Sequence, residues 1–251
     1  MMELSEECAQ CTTRVVSATK KLSAAVNRLD FSSQVDWIYN PLQYAWAAHS
    51  QYINRYLKSS CDVLFLGMNP GPWGMAQTGV PFGEIRAVSQ WLKIDAPIGR
   101  PECEHPKRPV QGLACTRSEI SGKRLWGLFQ ERFIDPDAFF ESHFVTNYCP
   151  LVFMESTARN LTPDKLPLVL KKPLEVVCDR FLCEMLEAVR PRWLVGIGAW
   201  AEQCGRRVVD GRGLKQIKVG RLLHPSPASP AANRNWALTA TQQMQAMGIW
   251  D

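Results

Sequence analysis

Four short apolar runs, each bounded by polar or turn-forming residues, constrain the fold more than any other feature of this sequence. They are "DVLFLG" (62–67), "HFVTNY" (143–148), "RWLVGIG" (192–198) and "IKVGRLL" (217–223). Their length and continuous apolarity are typical of strands buried on both faces of a parallel sheet. Helical patterns lie between the runs and after the last one. We predict a three-layer α/β/α fold, in which helices cover both faces of a central four-stranded parallel sheet.

Helix signals support this alternation. The segments with helical periodicity are "SGKRLWGLFQERF", "PLEVVCDRFLCEMLEAV", "AWAEQCGRRVV" and, at the end, "PAANRNWALTATQQMQAM". Asn40 followed by Pro41 is an N-cap and first-turn signal, and it predicts a buried helix over about 41–57. Ser229 followed by Pro230 gives the same signal for the last helix.

The chain contains no internal repeat, low-complexity linker or clean domain boundary. Residues 1–30 are polar with an irregular helical period, and they predict a peripheral N-terminal helical extension. Residues 31–251 are predicted to form one domain, which is long enough to bury a sizeable core.

Composition excludes several classes of protein. No apolar run of about eighteen residues exists, so no membrane contact is expected. The N-terminal "MMELSEECAQC" carries acids where a signal peptide needs positive charge. Nine cysteines at scattered spacings are typical of reduced thiols in an intracellular protein. Cys8 and Cys11 form a C-x-x-C without a second pair or a nearby histidine, so we expect neither a metal site nor a cofactor.

A rigid, uncharged loop follows the first apolar run. Between Met68 and Gly83 the chain has three prolines and four glycines. Ligands of parallel α/β sheets bind beyond the carboxyl ends of the strands, where this loop lies. The spacing matches no phosphate-binding glycine motif. Prolines on both sides of Gly71 fix the backbone and the orientation of Asn69, which predicts a preorganised wall for a small ligand.

Two other strand ends carry polar side chains. Asn147 lies near the end of the second run, where asparagine is disfavoured; a capping role and a ligand-binding role are equally consistent with it. His224 follows the fourth run and precedes a proline-rich loop that fixes its position. Beyond these strand ends lie two basic stretches, 99–124 and 156–167, which favour phosphate contact.

These residues together resemble the single-strand-selective monofunctional branch of the uracil-DNA glycosylase superfamily. The resemblance rests on "LGMNPGPWGMAQTGVPFGE", "EHPKRPV", "RNLTP" and "LLHPSP", with "IYNP" near the start, and covers roughly residues 35–250. It implies a nuclear, monomeric DNA-repair enzyme that acts on uracil in single- and double-stranded DNA. Trp73 stands where the family has phenylalanine. Ala228 and Ser229 stand where vertebrate members have bulkier, more basic residues, which predicts weaker wedging into the base stack.

The resemblance also implies residue roles. Asn69 would position the attacking water, and His224 would stabilise negative charge on the departing base. Asn147 would recognise the Watson–Crick edge of uracil and Phe82 would stack on its face. Two further residues would line the pocket, Met68 and Gly71. The residues implied to contact DNA are Arg159, Asn160, Lys165, Ser226, Ala228, Ser229, Asn233 and Arg234.

The expected reaction is base flipping followed by hydrolysis of the glycosidic bond. The loop from Met68 to Gly83 has no carboxylate, so Asn69 is expected to orient the water without a strong general base. No lysine lies in the strand-end motifs, in agreement with base removal without strand cleavage. Open space at Gly71 near C5 of the base predicts excision of uracil and oxidised 5-substituted uracils such as 5-hydroxymethyluracil, with thymine a poor substrate.

Two alternatives follow from the same residues. One is a catalytically idle DNA-binding relative, although the presence of Asn69, Asn147 and His224 argues against it. The other is a glycosylase of the same fold with a shifted base preference, for mismatched thymine or deaminated purines.

Overall fold

The computed structural model describes the backbone of residues 2–32 and 34–251 and the side chains of residues 8–32 and 34–251. The strands are β1 Trp37–Tyr39, β2 Val63–Gly67, β3 His143–Asn147, β4 Val152–Met154, β5 Asn160–Leu161, β6 Trp193–Ile197 and β7 Lys218–Leu222. The helices are α1 Met2–Val26, α2 Pro41–Tyr44, α3 Trp46–Tyr56, α4 Met75–Thr78, α5 Ile120–Phe133, α6 Pro136–Phe140, α7 Leu168–Val189, α8 Ala199–Gly211 and α9 Ala232–Ala246.

The central sheet has the order β3-β2-β6-β7, and every neighbouring pair is parallel. All residues of β2 and β3 are buried, as their continuous apolar sequence requires. Gly67 aligns with Asn147 across the β2–β3 pair, so both strands end at the same edge. The predicted three-layer fold with a four-stranded parallel sheet is confirmed.

A second, antiparallel sheet of order β1-β4-β5 was not predicted. Its strands have three, three and two residues, too few to show a period of two along the sequence. Register pairs Met154 with Asn160 and Phe153 with Leu161. This sheet places Asn160 beyond the end of β3, close to the edge where the parallel strands end.

Two helices differ in their bounds from the prediction. The helix expected over 41–57 is two helices, α2 and α3, separated at Ala45. The Asn40 side chain caps α2 by accepting a hydrogen bond from Leu42 N at 3.1 Å, as its sequence position indicated. Helix α7 begins at Leu168 and contains Pro173 in its second turn, so this proline does not start the helix.

The Ser229 N-cap prediction is wrong. Helix α9 begins at Ala232, and Ser229 lies in the preceding turn. A kink at Asn235 interrupts α9, and the Asn235 side chain accepts a hydrogen bond from Leu238 N at 3.1 Å. An asparagine inside the helix therefore supplies the cap for the regular part.

Helix α1 packs along α7 and contributes to the main core. Its buried residues recur at helical spacing: Cys11, Val15, Ala18, Leu22 and Val26. The division of the chain at residue 30 stays a prediction. None of the helices that the structure describes is long and apolar enough to cross a membrane.

The core at the amino end of the sheet is strongly aromatic. Phe139 stacks on Phe129 and on His143, with ring centroids 4.3 and 5.1 Å apart. Trp250 closes this cluster by donating a hydrogen bond to His143 Nε2 at 3.1 Å. Such packing holds the sheet rigid, so the loops at its carboxyl end are attached to strands that do not move.

Candidate active site

A cavity of about 290 Å³ lies at the carboxyl end of the parallel sheet. The loops after β2 and β7 form most of its wall, and the start of α5 and the β5 region complete it. Its lining residues are Met68, Asn69, Pro70, Gly71, Pro72, Phe82, Glu119, Ser121, Asn160, Thr162, His224 and Ser226. The structure therefore brings most of the predicted pocket residues into one cavity.

The Asn69 amide is held in a defined orientation. Its Nδ2 donates to Leu151 O at 3.0 Å and, more weakly, to Pro70 O at 3.4 Å. Both bonds use the nitrogen, so the amide oxygen keeps its acceptor sites for a ligand or a water molecule. An oriented amide oxygen on a rigid loop can hold one water in place.

Asn147 and Phe82 approach each other across Gly67. A Cβ atom at Gly67 would collide with Asn147 Oδ1 and would lie 2.5 Å from Phe82 Cε2, so only glycine permits this arrangement. Asn147 Nδ2 donates to Met75 Sδ at 3.2 Å, whereas its buried Oδ1 has no hydrogen-bond partner. A buried acceptor without a donor is costly and points to a donor supplied by a ligand.

The position of Asn147 differs from that of the other predicted residues. It does not line this cavity; it lines a smaller void together with Met75 and Thr146. Its link to the site is the Gly67 contact, which sets its oxygen near the Phe82 ring. Phe82 has a backbone φ of 54°, which is strained for a residue with a side chain. The surrounding loop therefore holds the backbone of Phe82 in a conformation that it would not adopt freely, and this fixes the position of the ring.

His224 is neutral, and its tautomer follows from one contact. Ser226 N donates to His224 Nδ1 at 3.1 Å, so Nδ1 is an acceptor and the ring proton is on Nε2. Burial also lowers the pKa of His224, which favours the neutral ring. Gly198, with φ 94°, leaves room for the ring. The result is an N–H donor that the loop aims from a fixed position.

Glu119 is a cavity residue that sequence analysis missed. Its carboxyl fills the place of a side chain at Gly71: a Cβ atom there would collide with Glu119 Oε2. The prediction of open space at Gly71 is therefore wrong on this side of the glycine. Burial raises the pKa of Glu119, and the N–H groups of Trp73 and Ser121 act in the opposite direction. The position of Glu119 just before the helical pattern from Ser121 does not tell which way the carboxyl turns.

The first two turns of α5 also contact the two other site loops. Gly122 packs so closely on Phe82 O that a Cβ atom there would collide with it. Arg124 donates to Pro225 O at 2.9 Å and to Asn233 Oδ1 at 3.0 Å. The basic residues of this stretch predicted phosphate contact only and did not indicate these contacts to the pocket loops.

The predicted DNA-contact residues lie in different surroundings. Asn160 and Ser226 line the cavity, and Asn160 Oδ1 is buried without a partner. The guanidinium of Arg159 is paired with Glu155, its Nε 2.9 Å from Glu155 Oε2. Asn233 holds the loop after His224, because its Nδ2 donates to Pro227 O at 2.8 Å. The others lie at or near the surface: Lys165, Ala228, Ser229 and Arg234. Their contact with DNA stays a prediction.

Comparison with known proteins identifies the class. The family model described as "Uracil DNA glycosylase superfamily" matches residues 54–245. The crystal structure of SMUG2 from Pedobacter heparinus has a TM-score of 0.61, with 15% sequence identity, over 92% of this chain and 97% of that chain. The structural likeness supports the fold, and the chain belongs to the uracil-DNA glycosylase superfamily.

Three relatives similar in sequence belong to one branch of this superfamily. The single-strand selective monofunctional uracil-DNA glycosylase of Mus musculus is 46% identical over 91% of this chain and 82% of the mouse protein. The Rattus norvegicus protein of that name is 45% identical over 98% of this chain and 88% of its own length. The Bos taurus protein is 45% identical over 91% of this chain and 84% of its own length. The resemblance noted from the motifs is confirmed.

Proposed function

We propose that this chain is a monofunctional DNA glycosylase that excises uracil and oxidised 5-substituted uracils, such as 5-hydroxymethyluracil, from single- and double-stranded DNA. The observation that carries the proposal is the cavity in which the Asn69 amide, the Phe82 ring and the neutral His224 lie together. The proposal includes a monomeric enzyme in the nucleus, and for these two points it depends on the resemblance alone.

The reaction begins with extrusion of the target nucleotide. A base inside a helix cannot reach a cavity at the end of a sheet, and flipping costs about a few kcal/mol. A single strand avoids the cost of unpairing. The cavity volume of about 290 Å³ accommodates one pyrimidine with part of its sugar. Stacking of the base on Phe82 offsets part of the lost stacking energy.

Bond cleavage separates charge, and the site residues act on that charge. The C1′–N1 bond breaks with its electron pair leaving on the base, while positive charge develops on the sugar. The Nε2–H of His224 donates to O2 of the departing uracil and stabilises the anion. Asn69 Oδ1 orients a water that adds to C1′, and this water loses a proton to solvent. The uracil anion takes up a proton from solvent, and the products are free uracil and an abasic site on an intact strand.

Base selection rests on the Asn147 amide. Its unpartnered Oδ1 accepts from N3–H of uracil, and its Nδ2 donates to O4 in place of Met75 Sδ. Cytosine presents an acceptor at N3 and a donor at C4, so both contacts would be lost. A site built on buried polar groups rejects such a base strongly, because those groups stay unpaired.

The wall behind Gly71 determines which substituents at C5 of the uracil the site accepts. With Gly71 on the C5 side of the base, the Glu119 carboxyl makes this wall polar. A hydroxymethyl group can hydrogen-bond in such surroundings, whereas the methyl group of thymine cannot. We therefore expect 5-hydroxymethyluracil to be excised and thymine to be a poor substrate.

The test is excision from one oligonucleotide sequence that carries uracil, 5-hydroxymethyluracil, thymine or cytosine at the same position, single-stranded and paired. Cleavage is assayed on gels with and without alkali. We expect release of the two uracils in both strand contexts, and breaks only after alkali. Binding without any excision would identify an idle relative. Preferred release of mismatched thymine, or of hypoxanthine in an added substrate, would identify a shifted base preference. Breaks without alkali would contradict a monofunctional mechanism.

A further inference from the structure

Two arginines stack on one tryptophan next to the cavity. The guanidinium carbons of Arg108 and Arg117 lie 4.8 and 5.5 Å from the ring centroid of Trp73. Trp73 directly follows Pro72, which lines the cavity. We propose that Arg108 and Arg117, held on Trp73, form a binding site for DNA backbone phosphates beside the pocket.

The stacking leaves the arginine donors free. A cation–π contact gives the guanidinium N–H groups no oxygen acceptor, so these groups can still donate to one. Within the described part of the chain, neither arginine has a carboxylate within 4.0 Å. Arg108 makes one long bond, from Nη1 to Lys107 O at 3.5 Å, and its buried Nε has no partner. Two cations with unused donors fit a phosphate, which accepts bidentate bonds.

The platform beneath the arginines is rigid. The buried Gln77 donates from Nε2 to Pro72 O and to Pro109 O, each at 3.1 Å. These carbonyls directly precede Trp73 and directly follow Arg108. Gln77 Oε1 also accepts from Gln111 N at 2.8 Å. One amide therefore fixes the spacing between the ring and the arginine backbone, which lowers the entropy lost when a ligand binds.

This site gives a physical reason for tryptophan at position 73. Of the aromatic side chains, tryptophan is the best partner for a cation and has the largest face. Phenylalanine, expected here from the family motif, is a weaker platform. The nearby carboxylate of Glu104 accepts from Val110 N at 2.7 Å, and that of Glu119 is turned toward Gly71. Neither neutralises the arginines through an ion pair.

The site rests on the proposed function, because a bound nucleotide must carry its backbone past the cavity. The experiment measures binding of a fluorescein-labelled single-stranded oligothymidylate without uracil, by anisotropy, at about 50 to 200 mM salt. The variants are Arg108→Gln, Arg117→Gln and the double change. The matched control is Arg132→Gln, because Arg132 also stacks on a tryptophan, 4.6 Å from the Trp250 ring centroid, but at the opposite end of the sheet.

Each lost phosphate contact is expected to reduce the slope of log affinity against log salt by roughly 0.7. We therefore expect a smaller slope for Arg117→Gln and the smallest for the double variant, with Arg132→Gln like wild type. Equal slopes in all variants, or an equal loss with Arg132→Gln, would overturn the proposal. Because Arg117 is exposed, its single variant decides the question even if Arg108→Gln fails to fold. The probe contains no uracil, so this result is independent of the excision test.

Discussion

Replacing Arg124 by glutamine tests whether α5 positions the loop that carries His224. Its guanidinium joins α5 to both ends of the loop after His224, through Pro225 O at 2.9 Å and Asn233 Oδ1 at 3.0 Å. Glutamine is shorter and uncharged and cannot span both acceptors. The loop, and with it the His224 ring, would lose its fixed position relative to the cavity.

The size of the effect follows from these two bonds. Hydrogen bonds from a charged group contribute about 1.5–3 kcal/mol each when buried. The first bond is partly buried and the second is exposed, so solvent screening reduces each to about 1 kcal/mol. A loss of about 2 kcal/mol in positioning corresponds to a roughly 30-fold slower chemical step.

The assay is single-turnover excision of uracil from a single strand at saturating enzyme, with the dissociation constant measured separately. Lys123→Gln is the matched control, because it removes the same charge from the neighbouring position, and the exposed Lys123 side chain makes no hydrogen bond or ion pair within the described residues. We expect its rate to stay within about twofold of wild type. Asn233→Ala should slow the step as well, and the double variant should lose less than the sum. An Arg124→Gln rate equal to that of Lys123→Gln, or a loss confined to affinity, would refute the positioning role.

Three further outcomes are expected. Asn69→Ala and His224→Ala should each lower turnover by at least about 100-fold with DNA affinity largely kept, since they remove charge-stabilising groups; unchanged turnover in either would reject its assigned role. Asn147→Asp should shift preference toward cytosine, measured as the ratio of excision rates; equal or stronger discrimination against cytosine would count against edge recognition. Burial lowers the pKa of His49 and His143 to about 4, below the ordinary 6.5. The unfolded chain therefore binds more protons between these values, and each histidine should cost about 2 kcal/mol of unfolding free energy from pH 7 to pH 5; denaturation midpoints that do not fall would contradict this.

The parallel sheet was predictable because β2 and β3 are buried along their whole length and β6 along all but its first residue. Strand β7 differs from the expectation of burial on both faces, because Lys218 and Arg221 are exposed. Buried strands have continuous apolar sequences, and the ends of the second and fourth runs indicate Asn147 and His224 as site candidates. The second sheet was not predictable, because β5 has only two residues, Asn160 and Leu161, and pairs with β4 through the fold rather than through its own pattern.

The directions in which the site's side chains point could not be predicted from the sequence. Glu119 is visible as an acid at a helix start, but the sequence does not tell whether it caps that helix or turns toward Gly71. Arg124 is visible as one cation in a basic stretch, where a solvent-facing position is the usual outcome. In the structure its donors are used by Pro225 and Asn233 instead. Long-range contacts of this kind depend on how loops meet in space.

The central claim is that Phe82, Asn147 and His224 surround one extruded uracil. The most direct measurement is a crystal structure of the Asn69→Ala variant with a uracil-bearing single strand, in which slow chemistry preserves the substrate. We expect the base stacked on Phe82, its N3–H about 2.9 Å from Asn147 Oδ1, and its O2 facing His224 Nε2. A uracil bound outside this cavity, or inside it with the Asn147 amide out of reach, would contradict the claim.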